Sequence, residues 1–187
     1  MASNATIFKA ALQIADLDRN YYQDHLLTLA RHPSETDERM MVRLLAFVRH
    51  AHDDLVFGRG LSTEDEPDLW QKDLTGAIEL WIDVGQRDAR DIRRACNRAE
   101  QVFIYTYGGR GAGLWWEENR EPLERLSNLT VLSLPPDTTR RLAGLAQRAM
   151  QLQCTLQEGQ IWIGNADGSV QVELVEIKAA SRPGKRG

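Results

Sequence analysis

The chain has 187 residues, 42% hydrophobic and 27% charged, which suits one globular domain and excludes a disordered chain. Its net charge of −4 and pI near 5.6 exclude a surface built as a whole for nucleic acid or anionic membrane, so any cationic site must be local. No apolar run approaches the ~20 residues that span a bilayer. The opening MASNATIFKA lacks the apolar stretch of a signal peptide. Cys96 and Cys154 have neither a pairing pattern nor metal-ligand spacing, and both lie in apolar periodic segments. A cytoplasmic monomer with buried thiols is expected, with no membrane partner.

Residues 5–14 alternate, with Phe8, Ala10, Leu12 and Ile14 facing one way. After a turn at 16–20, residues 25–31 form a second apolar run, so the spacing predicts an N-terminal hairpin. Ser34 is placed to cap a helix whose first turn carries Glu35, Asp37 and Glu38. Met41, Leu44, Leu45 and Val48 form its apolar stripe, and Glu38 continues that stripe toward the N-terminus. Such a carboxylate is either a helix-dipole acid at the edge of the core or a ligand aimed inward.

A short strand follows at LVFGRG, and then the stretch from Glu64 to Asp88. It reads as two extended segments joined by a polar turn. Asp68 stands at the head of the first segment. Asp83 lies near the end of the apolar second, which runs from Ala77 to Val84. Two carboxylates at neighbouring strand ends are what a divalent metal needs, and also what an acidic surface looks like.

A helix is predicted from Ala89 to Gln101, with Ile92, Ala95, Cys96 and Ala99 inward. Arg90, Arg94 and Arg98 line another face, with Arg87 and Arg93 nearby. This is either a local cationic patch or a solvated face balanced by Asp88, Asp91 and Glu100.

QVFIYTY, residues 101–107, has the continuous β-prone character of a strand buried on both faces. GGRGAG reads as a loop without the Lys-Ser/Thr ending of a phosphate-binding P-loop. A helix broken at Pro122 follows, carrying Trp115 and Trp116. A strand at 129–134 comes next, then a helix from Pro136 with Leu142, Leu145, Ala146 and Ala149 inside. From Met150 the period becomes two, and the chain reads as a three-stranded antiparallel meander over about 150–178. The small, basic tail 179–187 is expected to be disordered.

From Ser34 to Tyr107 the order is helix, strand, strand, strand, helix, strand. With the residues at its joints, it resembles the core of the PD-(D/E)XK nuclease superfamily. Glu38 matches the helix acid and Pro67-Asp68 the "PD". Asp83-Val84-Gly85 matches acid-x-Lys, with glycine in place of lysine. LARHPSETDERMM, DEPDLW, LWIDVGQ and the Trp115-Trp116 region resemble the YaeQ family over nearly the whole chain.

The resemblance implies an α/β fold with a restriction-endonuclease-like αβββαβ core at about 34–107. Its central mixed sheet would be flanked by helices, with the hairpin and meander appended, all in a single domain 1–178. It implies Mg²⁺ or Mn²⁺ held by Asp68, Asp83 and Glu38 for phosphodiester hydrolysis in nucleic acid. Arg87, Arg90, Arg93 and Arg94 would grip phosphates. The alternative is a catalytically silent relative that binds nucleic acid or a protein partner.

Gly85 cannot supply the lysine's function. Gln86 could orient water, Arg93 or Arg94 could carry the displaced charge, and Lys72 is a further candidate. An arginine does not act as a base at neutral pH. One of Glu64, Asp65 and Glu66 could serve a second metal. His50 and His52, two apart at a helix end, fit surface polarity better than ligation.

Overall fold

A computed structural model describes residues 4–60 and 65–181. Its first half runs β1 (Thr6–Asp16), β2 (Tyr21–Arg31), α1 (Asp37–Arg49), β3 (Leu55–Phe57), β4 (Leu69–Lys72), β5 (Ile78–Val84) and α2 (Ala89–Arg98). The second half runs β6 (Ala99–Tyr107), α3 (Arg110–Glu124), β7 (Leu129–Leu134), α4 (Pro136–Ala143), β8 (Ala149–Gln157), β9 (Gln160–Asn165), β10 (Gly168–Val172) and β11 (Val175–Lys178). This is a mixed α/β protein with two mixed sheets and four helices among the described residues. None of these helices is long and apolar enough to cross a membrane.

The chain divides into two compact units, 1–49 with 136–173, and 50–135 with 174–187. The first holds a five-stranded sheet in the order β10-β9-β8-β1-β2. The expected hairpin is there: β1 pairs antiparallel with β2 from Thr6↔Arg31 to Asp16↔Tyr21. Phe8, Ala10, Leu12 and Ile14 are buried as their alternation requires. Parallel pairing of β1 with β8 joins the hairpin to the meander.

Helix α1 departs from the one-sided stripe, because every residue from Met40 to Val48 is buried. Its one charge in that run, Arg43, donates to both oxygens of buried Glu35 at 2.8 Å and to the Ala30 carbonyl at 3.2 Å. The cap also differs from expectation. Thr36 Oγ1, not Ser34, accepts from the Arg39 amide at 3.1 Å, because Ser34 is engaged in a local turn with His32.

The second unit holds a six-stranded sheet in the order β11-β7-β6-β5-β4-β3. β5, β6 and β7 are parallel neighbours, joined by crossovers through α2 and α3. Ile92 and Ala95 of α2, and Trp116 and Leu123 of α3, pack with Trp81, Val102, Ile104 and Val131. The order expected for residues 34–107 is observed as α1-β3-β4-β5-α2-β6.

Several boundaries move. α2 stops at Arg98 because Ala99 already pairs with Ile78 as the first residue of β6. GGRGAG is mostly helical, since α3 starts at Arg110, and Pro122 lies inside that helix near its end. α4 ends at Ala143, so Ala149 is an exposed strand residue paired with Lys9 and not a core helix position. The final segment VQVELVEI is two strands. β10 closes the three-stranded meander, while β11 crosses to the other sheet and pairs with β7. Residues 182–187 of the expected tail lie outside the described residues.

Candidate functional site

Antiparallel pairing of Leu69 with Ile82 places Asp68, just before β4, beside Asp83, next to last in β5. Both are buried, at 4% and 7% exposure. Each carboxylate is fixed by the other strand's backbone: the Val84 amide donates to Asp68 Oδ2 at 2.7 Å, and the Asp68 amide to Asp83 Oδ1 at 3.3 Å. Trp81 Nε1 donates to Asp83 Oδ2 at 2.8 Å. Burial pushes the Asp83 carboxyl above the ordinary aspartate value of 3.8. Asp68 adds to that rise, while Arg87 and the hydrogen bonds oppose it.

Arg87 closes the arrangement. Its Nη2 lies 3.4 Å from Asp68 Oδ2 and 3.2 Å from Asp83 Oδ1, so one cationic nitrogen serves both acids. These contacts are long for charge-assisted bonds, which run ~2.7–2.9 Å. The Arg87 Nε is buried without a hydrogen-bond partner among the described residues. The backbone is held better than the guanidinium, because Trp115 Nε1 donates to the Arg87 carbonyl at 2.8 Å.

Two glycines shape the strand ends. A Cβ at Gly58 would lie 2.0 Å from the Pro67 carbonyl oxygen, so only glycine lets that segment approach the one carrying Asp68. The Gly58 amide donates to the Asp68 carbonyl at 2.9 Å. Gly85, where the motif lysine belongs, has φ of +101°, a conformation that side-chain-bearing residues rarely adopt. Its amide donates to the Tyr105 carbonyl at 2.8 Å.

A cleft of about 310 Å³ opens over Asp83 and Arg87, lined also by Asp65, Glu66, Arg94 and Arg98. Larger hollows, one of about 780 Å³, lie on the five-stranded sheet and contain neither aspartate. Of the buried pair, Asp83 lines the smaller cleft together with Arg87, and Asp68 lies behind them, joined to that cleft through its contact with Arg87 Nη2. The site is placed there for that reason. Arg98 lies over the Trp81 ring, 5.0 Å from its centroid, and donates to the Asp65 carbonyl at 3.1 Å.

The remaining candidates are spread more widely. Glu38, half-buried on α1, belongs to the other compact unit. Among the described residues, no three His, Cys, Asp or Glu side chains gather as a metal-holding group. Gln86 spends its amide on the Tyr107 carbonyl at 2.6 Å. Arg90 pairs with Asp88, the cap of α2, and Arg94 pairs with Asp91, while Arg93 is exposed. Lys72 Nζ lies 3.7 Å from the Trp70 ring centroid.

Glu66 holds Arg59, and Glu64 lies outside the described residues. His50 Nε2 is hydrogen-bonded to the buried Tyr105 hydroxyl at 2.8 Å, so it is no surface histidine. Burial pushes the Cys96 thiol up to about 11 and the Cys154 thiol up to about 12; Cys154 is buried as expected, whereas Cys96 is only half-buried. Sequence reasoning missed the bridging position of Arg87 and the Trp81 bond to Asp83. Their spacings from Asp83, four and two residues, were the available signal.

Fold and site define a mixed α/β protein carrying a buried aspartate pair at adjacent strand ends of one sheet. The matching family model is that of the YaeQ protein, over residues 1–174. The chain is 45% identical over 174 residues to a YaeQ protein of Salmonella typhi, covering 93% of this chain and 96% of that one. A YaeQ protein of Escherichia coli (strain K12) is 44% identical over the same length, with the same coverage.

Two crystal structures are similar throughout. The YaeQ protein from Xanthomonas axonopodis pv. citri has TM-score 0.90 and 47% identity, covering 94% of this chain and 99% of that one. The YaeQ protein from Pseudomonas syringae has TM-score 0.90 and 35% identity, covering 95% and 98%. The chain belongs to the YaeQ family.

Proposed function

We propose that this chain is a cytoplasmic, PD-(D/E)XK-type nuclease-like protein. Its Asp68–Asp83 pair would hold one Mg²⁺ or Mn²⁺ against a nucleic-acid phosphodiester. The element order α1-β3-β4-β5-α2-β6 follows the αβββαβ core of restriction endonucleases, in support of that reading. The observation that carries it is the convergence of Asp68 Oδ2 and Asp83 Oδ1 on a single cationic nitrogen, at 3.4 and 3.2 Å.

The donor set fits a hard divalent cation, which takes carboxylate oxygens and keeps several waters. A loosely bonded guanidinium with an unsatisfied Nε already stands between the acids as a cation. Asp68 and Asp83 would be the ligands, and both lie in one unit. The bound ion would supply an activated water and charge stabilisation at phosphorus. Released from the acids, Arg87 is positioned to take a phosphate oxygen, with Arg94 and Arg98 on the same cleft. Trp81 holds the Asp83 carboxylate in place through its indole N–H.

A second reading is favoured by two observations at the same place. Arg87 already neutralises the acid pair, and the backbone at Gly85 disfavours a lysine. On this reading the protein binds nucleic acid without cutting it. Incubating wild type and Asp83→Ala with single- and double-stranded DNA and RNA, plus Mg²⁺ or Mn²⁺, separates the two. Cleavage lost in the variant supports the nuclease. Binding without cleavage supports the silent relative. Cleavage that persists in the variant sinks the assignment of this site.

A further inference from the structure

The solvent face of the five-stranded sheet is the other built surface of the molecule. β2 is its edge strand, and of its eleven residues only Leu29 is buried. The outward positions of β1, β2 and β8 are mostly alanine, threonine and glutamine. In a chain that is 27% charged, these three strands turn only two charges outward, Lys9 and Asp24. Leu26 stands out from the face at 88% exposure. It borders a hollow of about 780 Å³ whose lining includes Ala11, Gln13, Asp24 and Gln151.

The pairing register arranges these residues in rows across the strands. Ala11, Leu26 and Gln151 share the middle row. Lys9 lies in the row on one side, with Thr28 and Ala149. Asp24 lies in the row on the other side, with Gln13 and Gln153. Charge is therefore distributed antisymmetrically about an uncharged line. A two-fold axis lying in the face along that line exchanges the outer rows. Each Lys9 is then brought over the row of Asp24 in a second copy, one strand (~4.8 Å) to the side, within a lysine's reach.

We propose that this face is the interface of a homodimer, sheet against sheet. Leu26 packs at the two-fold against Leu26 of the partner subunit, at the border of the hollow, and Lys9 pairs with Asp24 across the interface twice. The expectation from sequence is a monomer. The arrangement is isologous, with the same patch on both copies. β1, β2 and β8 at ~4.8 Å, over the nine residues of β8 at ~3.3 Å, with the six residues of β9 beside them, give a patch of roughly 500 Å². That is near the lower end of specific interfaces, ~600 Å² per partner. Small side chains keep the face flat enough for two sheets to lie ~10 Å apart.

Sedimentation velocity on the full chain across the micromolar range tests this. Wild type is expected to show a reversible dimer, and Leu26→Glu to weaken it at least tenfold with an unchanged circular dichroism spectrum. Lys9→Glu and Asp24→Lys are each expected to weaken it, and the double reversal to restore it. A wild type that stays monomeric throughout overturns the proposal, whatever else that face binds. A dimer unaffected by Leu26→Glu places the contact elsewhere and also overturns it. Single reversals that weaken without rescue in the double variant remove the Lys9–Asp24 pairing.

Discussion

At the scale of the residue, Asp83 is the group whose chemistry is most altered by its position. Burial lifts its carboxyl above 3.8, so the unfolded chain gives up this proton at a lower pH than the folded protein does. As pH rises from 3.8 through the folded value, ionisation therefore favours the unfolded chain. Stability tied to Asp83 is full below that window and lost above it. Asp83→Asn has no such titration. The unfolding free energy of wild type minus that of Asp83→Asn should fall as pH rises through the window, by denaturant melts from pH 3.5 to 8. A difference that rises with pH would mean that Arg87 and the hydrogen bonds outweigh burial. The acid pair itself was legible because Asp68 and Asp83 sit at the ends of β-prone segments. Their bridge was not: Arg87 lies in a polar turn, where spacing alone cannot tell a guanidinium turned inward from one in solvent.

At the scale of the element, the β5–α2 junction decides what the site lacks. Its φ of +101° at Gly85 sets the turn out of the sheet. Gly85→Lys restores the motif in sequence but places a side chain where only glycine is comfortable. We expect it to destabilise by about 1–2 kcal/mol in thermal melts without conferring cleavage. Efficient cleavage by that variant would mean the junction relaxes freely. Helix α2 carries the second element-scale expectation. If its outward arginines meet phosphates, the pair Arg93→Glu and Arg94→Glu should weaken duplex binding. It should also flatten the slope of log K against log salt by about 2. An unchanged slope would leave them as a solvated face, with Arg94 serving only Asp91. Helix α2 and strand β6 were readable from apolar spacing, but their boundary was not. The Ala99 position is set by pairing with Ile78, a contact that no local pattern records.

At the scale of the whole molecule, the pairings that local patterning could not reveal are the long-range ones. β1 meets β8 across more than a hundred residues, and β11 leaves the meander for the other sheet. Lys178 fixes that last crossing with bonds to the Leu126 and Leu129 carbonyls at 2.7 and 2.8 Å. Ending the chain at Glu173 exposes the β7 edge. It should speed hydrogen exchange in β6 and β7 more than in β1 and β8, and equal acceleration would show the two units unfolding as one.

The central claim is that the Asp68–Asp83 pair is a cation site whose present occupant is the Arg87 guanidinium. Titration calorimetry with Mn²⁺ on wild type, Arg87→Ala and Asp83→Ala tests it most directly. The expected result is one Mn²⁺ per chain for wild type, tighter binding by Arg87→Ala, and at least tenfold weaker binding by Asp83→Ala. Failure of both wild type and a folded Arg87→Ala variant to bind Mn²⁺ would contradict the claim.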